Sequence, residues 1–171
     1  MKKERLVKLL KELLRNSRRS DRELAKATGA SQPTVTRNRR KLAKYIRSYT
    51  IVPEFSKIGY EILAITFAKA KVCSKKEAED KVERARKWTA QHSSIIFACD
   101  GEGLGKDTVI VSLHRDYSKY ASFMREYSVN FADSIGDVQS FVTSLTTGMI
   151  TKPFDLKYLA DDMDNNISIA E

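Results

Sequence analysis

Two short segments, punctuated at both ends, constrain this chain more than any other feature. Ser20-Asp21-Arg22-Glu23 has capping-box spacing. In such a box the serine oxygen takes a free backbone N–H, and a glutamate three residues on reaches back to the serine's own N–H. Gly29 then stops the helix, because a left-handed turn costs glycine nothing. Ser31 caps the next helix, and Pro33 is tolerated in its first turn, where amide donors lack helical partners. Ahead of both, Leu6, Leu9, Leu10, Leu13 and Leu14 recur at helical spacing, so residues 3–16 form a first amphipathic helix. Two short helices joined by a Gly-containing turn make a helix-turn-helix.

Charge is concentrated on the same stretch. Residues 1–48 hold sixteen Lys and Arg against four Asp and Glu, a net +12, and the other 123 residues sum to −3. A concentrated cationic surface suits a polyanion, since each phosphate neutralised releases condensed counterions. In the third helix Val35, Leu42 and Ile46 share the inward stripe. At 100° per residue Pro33, Arg37, Arg40, Lys41 and Lys44 project outward, with Thr34 on the flank. An outward face of that kind meets a major groove. Gln32, Thr34, Arg37 and Asn38, near the helix start, are the candidates for base edges. Arg40, Lys41 and Lys44 are assigned to phosphates, as are Arg18, Arg19 and Arg22.

The rest reads as a second domain. With 42% hydrophobic residues the chain can bury real cores. No apolar run approaches the roughly 20 residues that span a bilayer, and charges interrupt the N-terminal apolar stretch, which argues against a signal peptide. A cytoplasmic protein without membrane attachment is expected. Cys73 and Cys99 form no CxxC pair, and His92 and His114 are isolated, so no metal, cofactor or catalytic residues are assigned. Residues 60–72 read as a buried strand. Ser74-Lys75-Lys76-Glu77 caps a helix with Ala78, Val82, Ala85 and Trp88 inward. Residues 94–99 and 108–114 form a hairpin around a glycine cluster. Asp116 caps a helix burying Tyr120, Met124, Tyr127 and Phe131, and residues 137–145 give the last strand. The order β-α-β-β-α-β is the ferredoxin-like unit, with an antiparallel sheet and both helices on one face.

The expected fold class is therefore α+β. A winged helix-turn-helix domain at 1–48 is followed by a linker at 49–59, a ferredoxin-like domain at 60–150 and a tail at 151–171. Asp155 to Leu159 reads as one helical turn and Asp161-Asp162-Met163-Asp164 as a solvated acidic run. Phe154, Tyr158 and Leu159 are the anchors should the tail dock.

The stretch Ser20 to Tyr45 resembles the N-terminal helix-turn-helix of the Lrp/AsnC family of prokaryotic transcription regulators. Arg39 departs from that pattern, standing where related helices place an apolar residue. Its stem is expected along the core edge with the guanidinium exposed. The β-α-β-β-α-β body resembles the family's ligand-sensing and assembly module, known as RAM, so the resemblance covers residues 6–145. It implies pairing of open sheet faces into a homodimer or a higher even-numbered assembly. It further implies binding to double-stranded DNA and a small-molecule effector, such as an amino acid, at subunit junctions. The glycine cluster leaves three readings: a phosphate loop, an effector loop with Gly103, Gly105 and Asp107 as nearest matches, or a hairpin connection needing positive φ. Two further function classes stay open beside a sequence-specific regulator. One is an architectural nucleoid protein with little sequence preference. The other is an enzyme on the same fold, such as the haem-precursor decarboxylases that resemble this family, although catalysis has no use for a basic recognition helix.

Overall fold

The computed structural model describes residues 2–163. The chain divides into two compact units, Met1–Val52 with Lys152–Glu171, and Pro53–Thr151. Of the segment from Lys152, only residues 152–163 are described, so the expected Asp164 of the acidic run lies outside them. Among the described residues no helix is long and apolar enough to cross a membrane.

The head unit is α1 (Lys2–Arg15), α2 (Asp21–Thr28) and α3 (Gln32–Leu42), ended by a 3-10 turn at Ala43–Tyr45. Its core is Leu9, Leu13, Leu24, Val35 and Leu42, with Leu6, Leu10, Ala25, Ala30 and Ile46 packed against it. Each fully enclosed leucine contributes roughly 1.5–3 kcal/mol, so this small core is what orients α3. No strand forms in the head among the described residues. The expected wing is therefore not built there: residues 46–54 include extended backbone but find no strand to pair with.

Residues 152–163 form part of the head unit, with Asp161 and Asp162 of the acidic run exposed. A 3-10 turn at Leu156–Tyr158 leads into α6 (Leu159–Asp162), which packs against α1. On a helical wheel Val7 lies beside Leu14 at the edge of the leucine stripe, widening the apolar arc of α1. Val7 is fully buried, as is Ala160 of α6. Arg15, further round the same side, holds Asp161 at 2.8 Å. Of the three expected anchors, Phe154 and Leu159 are 64% and 48% exposed and Tyr158 is half-buried. The single turn presses its smallest side chain inward, and its larger ones face out.

The body holds a 3-10 turn at Phe55–Ile58, then β1 (Ile62–Ala70), α4 (Lys75–Gln91), β2 (Ile95–Gly103), β3 (Lys106–His114), α5 (Tyr117–Asn130) and β4 (Ile135–Ser144). The sheet is antiparallel in the order β2-β3-β1-β4, with Thr66 opposite both Ile110 and Ser140. Both helix starts are capped as the sequence indicates, Ser74 with Glu77 and Asp116 with the Lys119 amide. The core comprises Ala68, Trp88, Ile110, Phe123, Tyr127 and Phe131. Phe123 was not anticipated, and Met124 is only partly buried. Val82, expected inward, is 42% exposed.

Strand alternation places Leu63, Ile65, Phe67, Val109, Val111 and Leu113 on the sheet face opposite that of Ala68 and Ile110. Phe97 and Phe141 share this second face and are 54% and 63% exposed. The glycine cluster is a hairpin: Gly103 pairs with Lys106, and Leu104 and Gly105 turn the chain at φ 53° and 69°. Two successive positive φ values are the geometry of a type I′ turn.

Candidate nucleic-acid interface

The geometry of α3 is set from α2. Ser20 Oγ accepts from the Glu23 N–H at 3.3 Å, while Glu23 Oε2 accepts from the Ser20 N–H and hydroxyl, each at 2.7 Å. Those bonds hold the Glu23 carboxyl below its ordinary range. Gly29, at φ 68°, turns the chain and lets the Ala30 N–H reach the Ala25 carbonyl at 3.1 Å. Ser31 then starts α3, although its hydroxyl bonds Thr34 Oγ1 at 2.8 Å rather than a backbone amide.

Arg39 shows how the helix is held about its own axis. The guanidinium is not exposed as expected. It pairs with Asp21 Oδ1 at 3.0 Å and donates to the Ser17 and Arg19 carbonyls at 3.4 Å each. Thr36 Oγ1 donates to the other Asp21 oxygen at 2.5 Å. A carboxylate in the first turn of α2 thus clamps two side chains of α3. With Val35 and Leu42 both buried, the inward stripe is the apolar one read from the sequence. Nothing in a linear reading singled out Thr36 as Asp21's partner. The available signal was a polar pair three residues apart flanking the apolar stripe.

The opposite side of α3 is cationic. Gln32, Arg37, Arg40, Lys41 and Lys44 are exposed, with Thr34 and Asn38 half-buried. Among the described residues Arg37, Arg40 and Lys41 make no ion pair, and neither do the exposed Arg18 and Arg22. Lys44 lies 5.0 Å from the ring centre of Tyr45. Arg19 differs from the rest, because its guanidinium is paired with Glu12 of α1. Among the described residues it is the assigned phosphate ligand that holds an ion pair, on a Glu12 carboxylate it shares with Arg15.

The second candidate set lies on the body hairpin. Gly103 and Gly105 flank the turn, but Asp107 is engaged. Its carboxylate accepts the Ala70 N–H at 3.0 and 3.2 Å and holds Lys69 Nζ at 3.1 Å. Lys106 Nζ holds Asp137 Oδ2 at 2.6 Å. Burial pushes the Tyr127 phenol up to about 12, with the charge of Asp107 adding.

Among the described residues no group of three or more His, Cys, Asp or Glu could hold a metal. Cys73 and Cys99 are free thiols. His92 stacks on Trp88 with ring centres 3.8 Å apart and meets Glu126 Oε1 at 2.9 Å. His114 is buried against Ser112 Oγ at 2.9 Å.

Residues 7–43 match the family model of the AsnC-type helix-turn-helix domain. About nine-tenths of the chain shares the fold of several solved structures. An AsnC family transcriptional regulator from Agrobacterium tumefaciens superposes with a TM-score of 0.71 at 19% identity, covering 91% of this chain and 97% of that one. A transcriptional regulator of Neisseria meningitidis in complex with L-Met gives 0.69 at 19% identity, with 91% and 97% covered. AsnC of E. coli gives 0.68 at 18% identity, with 88% and 95% covered. No curated protein matches the chain. In the head, Val35, Thr36, Arg37, Asn38 and Arg39 fall within the matched segment, whereas Lys44 and the tail lie outside it.

Proposed function

We propose that the chain is a sequence-specific, DNA-binding transcription regulator of the Lrp/AsnC type. The observation that carries this is the outward face of α3. Arg37, Arg40 and Lys41 stand exposed, with no ion pair among the described residues, on the third helix of a head that matches the AsnC-type helix-turn-helix, opposite a stripe that locks the helix down. Arg37 and Asn38 have side chains that read guanine and adenine edges in a major groove, with Gln32 and Thr34 at the entry turn. Arg18, Arg22, Arg40, Lys41 and Lys44 neutralise phosphates.

The body supplies the second copy. Its second sheet face presents Phe97 and Phe141 to solvent beside Ile65, Phe67 and Val111. An apolar face of that kind is stable when a partner covers it. Two copies related by a two-fold axis would offer two recognition helices to related half-sites. Effector control is part of the same proposal: Gly103, Gly105 and Asp107 mark the region for a small molecule such as an amino acid. There the Lys69–Asp107 contact would open to admit its ammonium.

Selection of bound fragments from a random duplex library, read beside the sedimentation of the full chain, tests the proposal. A two-fold consensus and a dimer that Phe141→Arg dissociates would support it. Enrichment of no sequence over random duplex would favour the architectural reading instead.

A further inference from the structure

Beside the recognition face the head carries a groove that joins two of the assigned phosphate ligands, Arg18 and Arg40, to residues beyond α3. It is lined by Ser17 and Arg18 from the turn after α1, Arg39 and Arg40 from α3, and Tyr49, Thr50 and Ile51 from the extended segment beyond α3. Its volume is about 890 Å³, against about 160 Å³ for the cleft beside Tyr127 in the body. The first is a wide, open groove rather than an enclosed cavity. No carboxylate lines it. Arg18 and Arg40 are exposed, and Arg39 has a buried Nε without a hydrogen-bond partner. The Asp21 carboxylate, from α2, holds the far end of that guanidinium at 3.0 Å and fixes it in place.

We propose that this groove seats a stretch of DNA sugar-phosphate backbone next to the half-site that α3 reads, so that each head grips the duplex at a second, sequence-independent place. The chemistry divides as such a ligand requires. The exposed guanidinium groups of Arg18 and Arg40 stand at the rim for phosphate oxygens, which arginine favours in bidentate geometry. The hydroxyls of Ser17, Tyr49 and Thr50 add neutral donors. The Tyr49 ring, the Ile51 side chain and the arginine stems offer apolar surface to deoxyribose. Charge complementarity excludes a basic or neutral peptide as the better occupant. The inference rests on the DNA-binding reading above and extends the contact from α3 to residues 49–51, beyond the matched helix-turn-helix segment.

The test uses the full-length protein and a duplex carrying its selected site, with binding followed by fluorescence anisotropy across salt concentrations. Each phosphate contact removed lowers the slope of log K against log salt by about 0.9. R18A/R40A should therefore lower it by about 0.9–1.8 per head without altering base preference. Because any lost charge weakens binding at a distance, the deciding variants are neutral. Tyr49→Phe and Thr50→Val should each weaken binding roughly two- to tenfold at fixed salt, and interference by an ethylated phosphate flanking the site should vanish in R18A/R40A. If wild-type protein binds the duplex while the neutral variants bind equally well and flanking ethylation has no effect, the groove assignment is overturned and the DNA-binding reading stands. A change in sedimentation of the neutral variants with unchanged DNA affinity would place a second copy of the chain in the groove, also overturning it. Failure of the wild-type protein to bind any duplex would remove the DNA-binding reading itself.

Discussion

Asp21 is the residue on which the pose of the recognition helix turns, and its removal has a calculable cost. The Asp21 and Arg39 side chains are 21% and 30% exposed, so their ion pair is neither superficial nor fully enclosed. Exposed pairs contribute about 0–1 kcal/mol, whereas breaking a buried pair costs about 3–5 kcal/mol. About 1–2 kcal/mol is the appropriate share here. Loss of the Thr36 bond adds about 1 kcal/mol, and loss of a carboxylate from the first turn of α2 adds about 0.3–1 kcal/mol. Asp21→Ala should therefore destabilise the head by roughly 2–4 kcal/mol. Arg39→Met removes the pair but leaves the Asp21 carboxylate its Thr36 bond and its place at the N-terminus of α2, so it should cost less than Asp21→Ala, about 1 kcal/mol. In the double variant the stranded guanidinium is gone, and a coupling of about 1–2 kcal/mol is expected. Urea unfolding can assign the loss to the head. Trp88 is the sole tryptophan and lies in the body, so its fluorescence reports that unit, while far-UV circular dichroism sums both. Additivity within about 0.3 kcal/mol, or a shift in the Trp88 transition, would refute the reasoning.

Three other perturbations have definite signs. His114 is buried among Ser112, Tyr120 and Phe123, and desolvation lowers its pKa, with Asp116 opposing the shift. The unfolded chain therefore binds the proton more readily. This contribution to body stability is complete above the ordinary value of 6.5 and is lost as pH falls through the lower folded value. His114→Gln should flatten the dependence of the Trp88 unfolding midpoint between pH 7 and 5, and an unchanged slope would contradict it. At the hairpin tip Leu104 is 81% exposed at φ 53°. Leu104→Asn should stabilise the body by about 0.5–1 kcal/mol, since asparagine tolerates left-handed backbone better, and a lowered thermal midpoint would disprove the strain. A Cβ on Gly148 would stand 2.2 Å from the Ser144 carbonyl oxygen, which is backbone and cannot swing away. Gly148→Ala should cost about 1–3 kcal/mol, and wild-type stability would refute that close approach.

The parts of this protein that could be read from its sequence are those decided within a few residues. The boxes at Ser20/Glu23 and Ser74/Glu77, the Asp116 cap and the Gly29 turn are local hydrogen-bond bargains, and each formed where the spacing put it. Strand order followed from the sequence of elements. What escaped depends on partners far along the chain. Val7 is buried outside the leucine core, and α6, with the buried Ala160, packs against α1 from more than 140 positions away. Arg39 was visible as a departure, but its partner was not, because Asp21 comes opposite it only when α2 and α3 cross. Arg19 looked as available as Arg18 until Glu12, one helix earlier, was found to hold it. Phe123 was passed over beside Met124, since one position's rotation of α5 decides which of two large side chains enters the core.

The central claim is that α3 reads bases through its outward face, and Arg37 tests it most directly. The residue is exposed, makes no ion pair among the described residues and supports no core contact, so Arg37→Ala should leave folding intact. Duplex selection repeated with that variant should recover the same half-site spacing with one base position relaxed and affinity lower by about 1–3 kcal/mol. The same consensus at the same strength from both proteins would contradict the account.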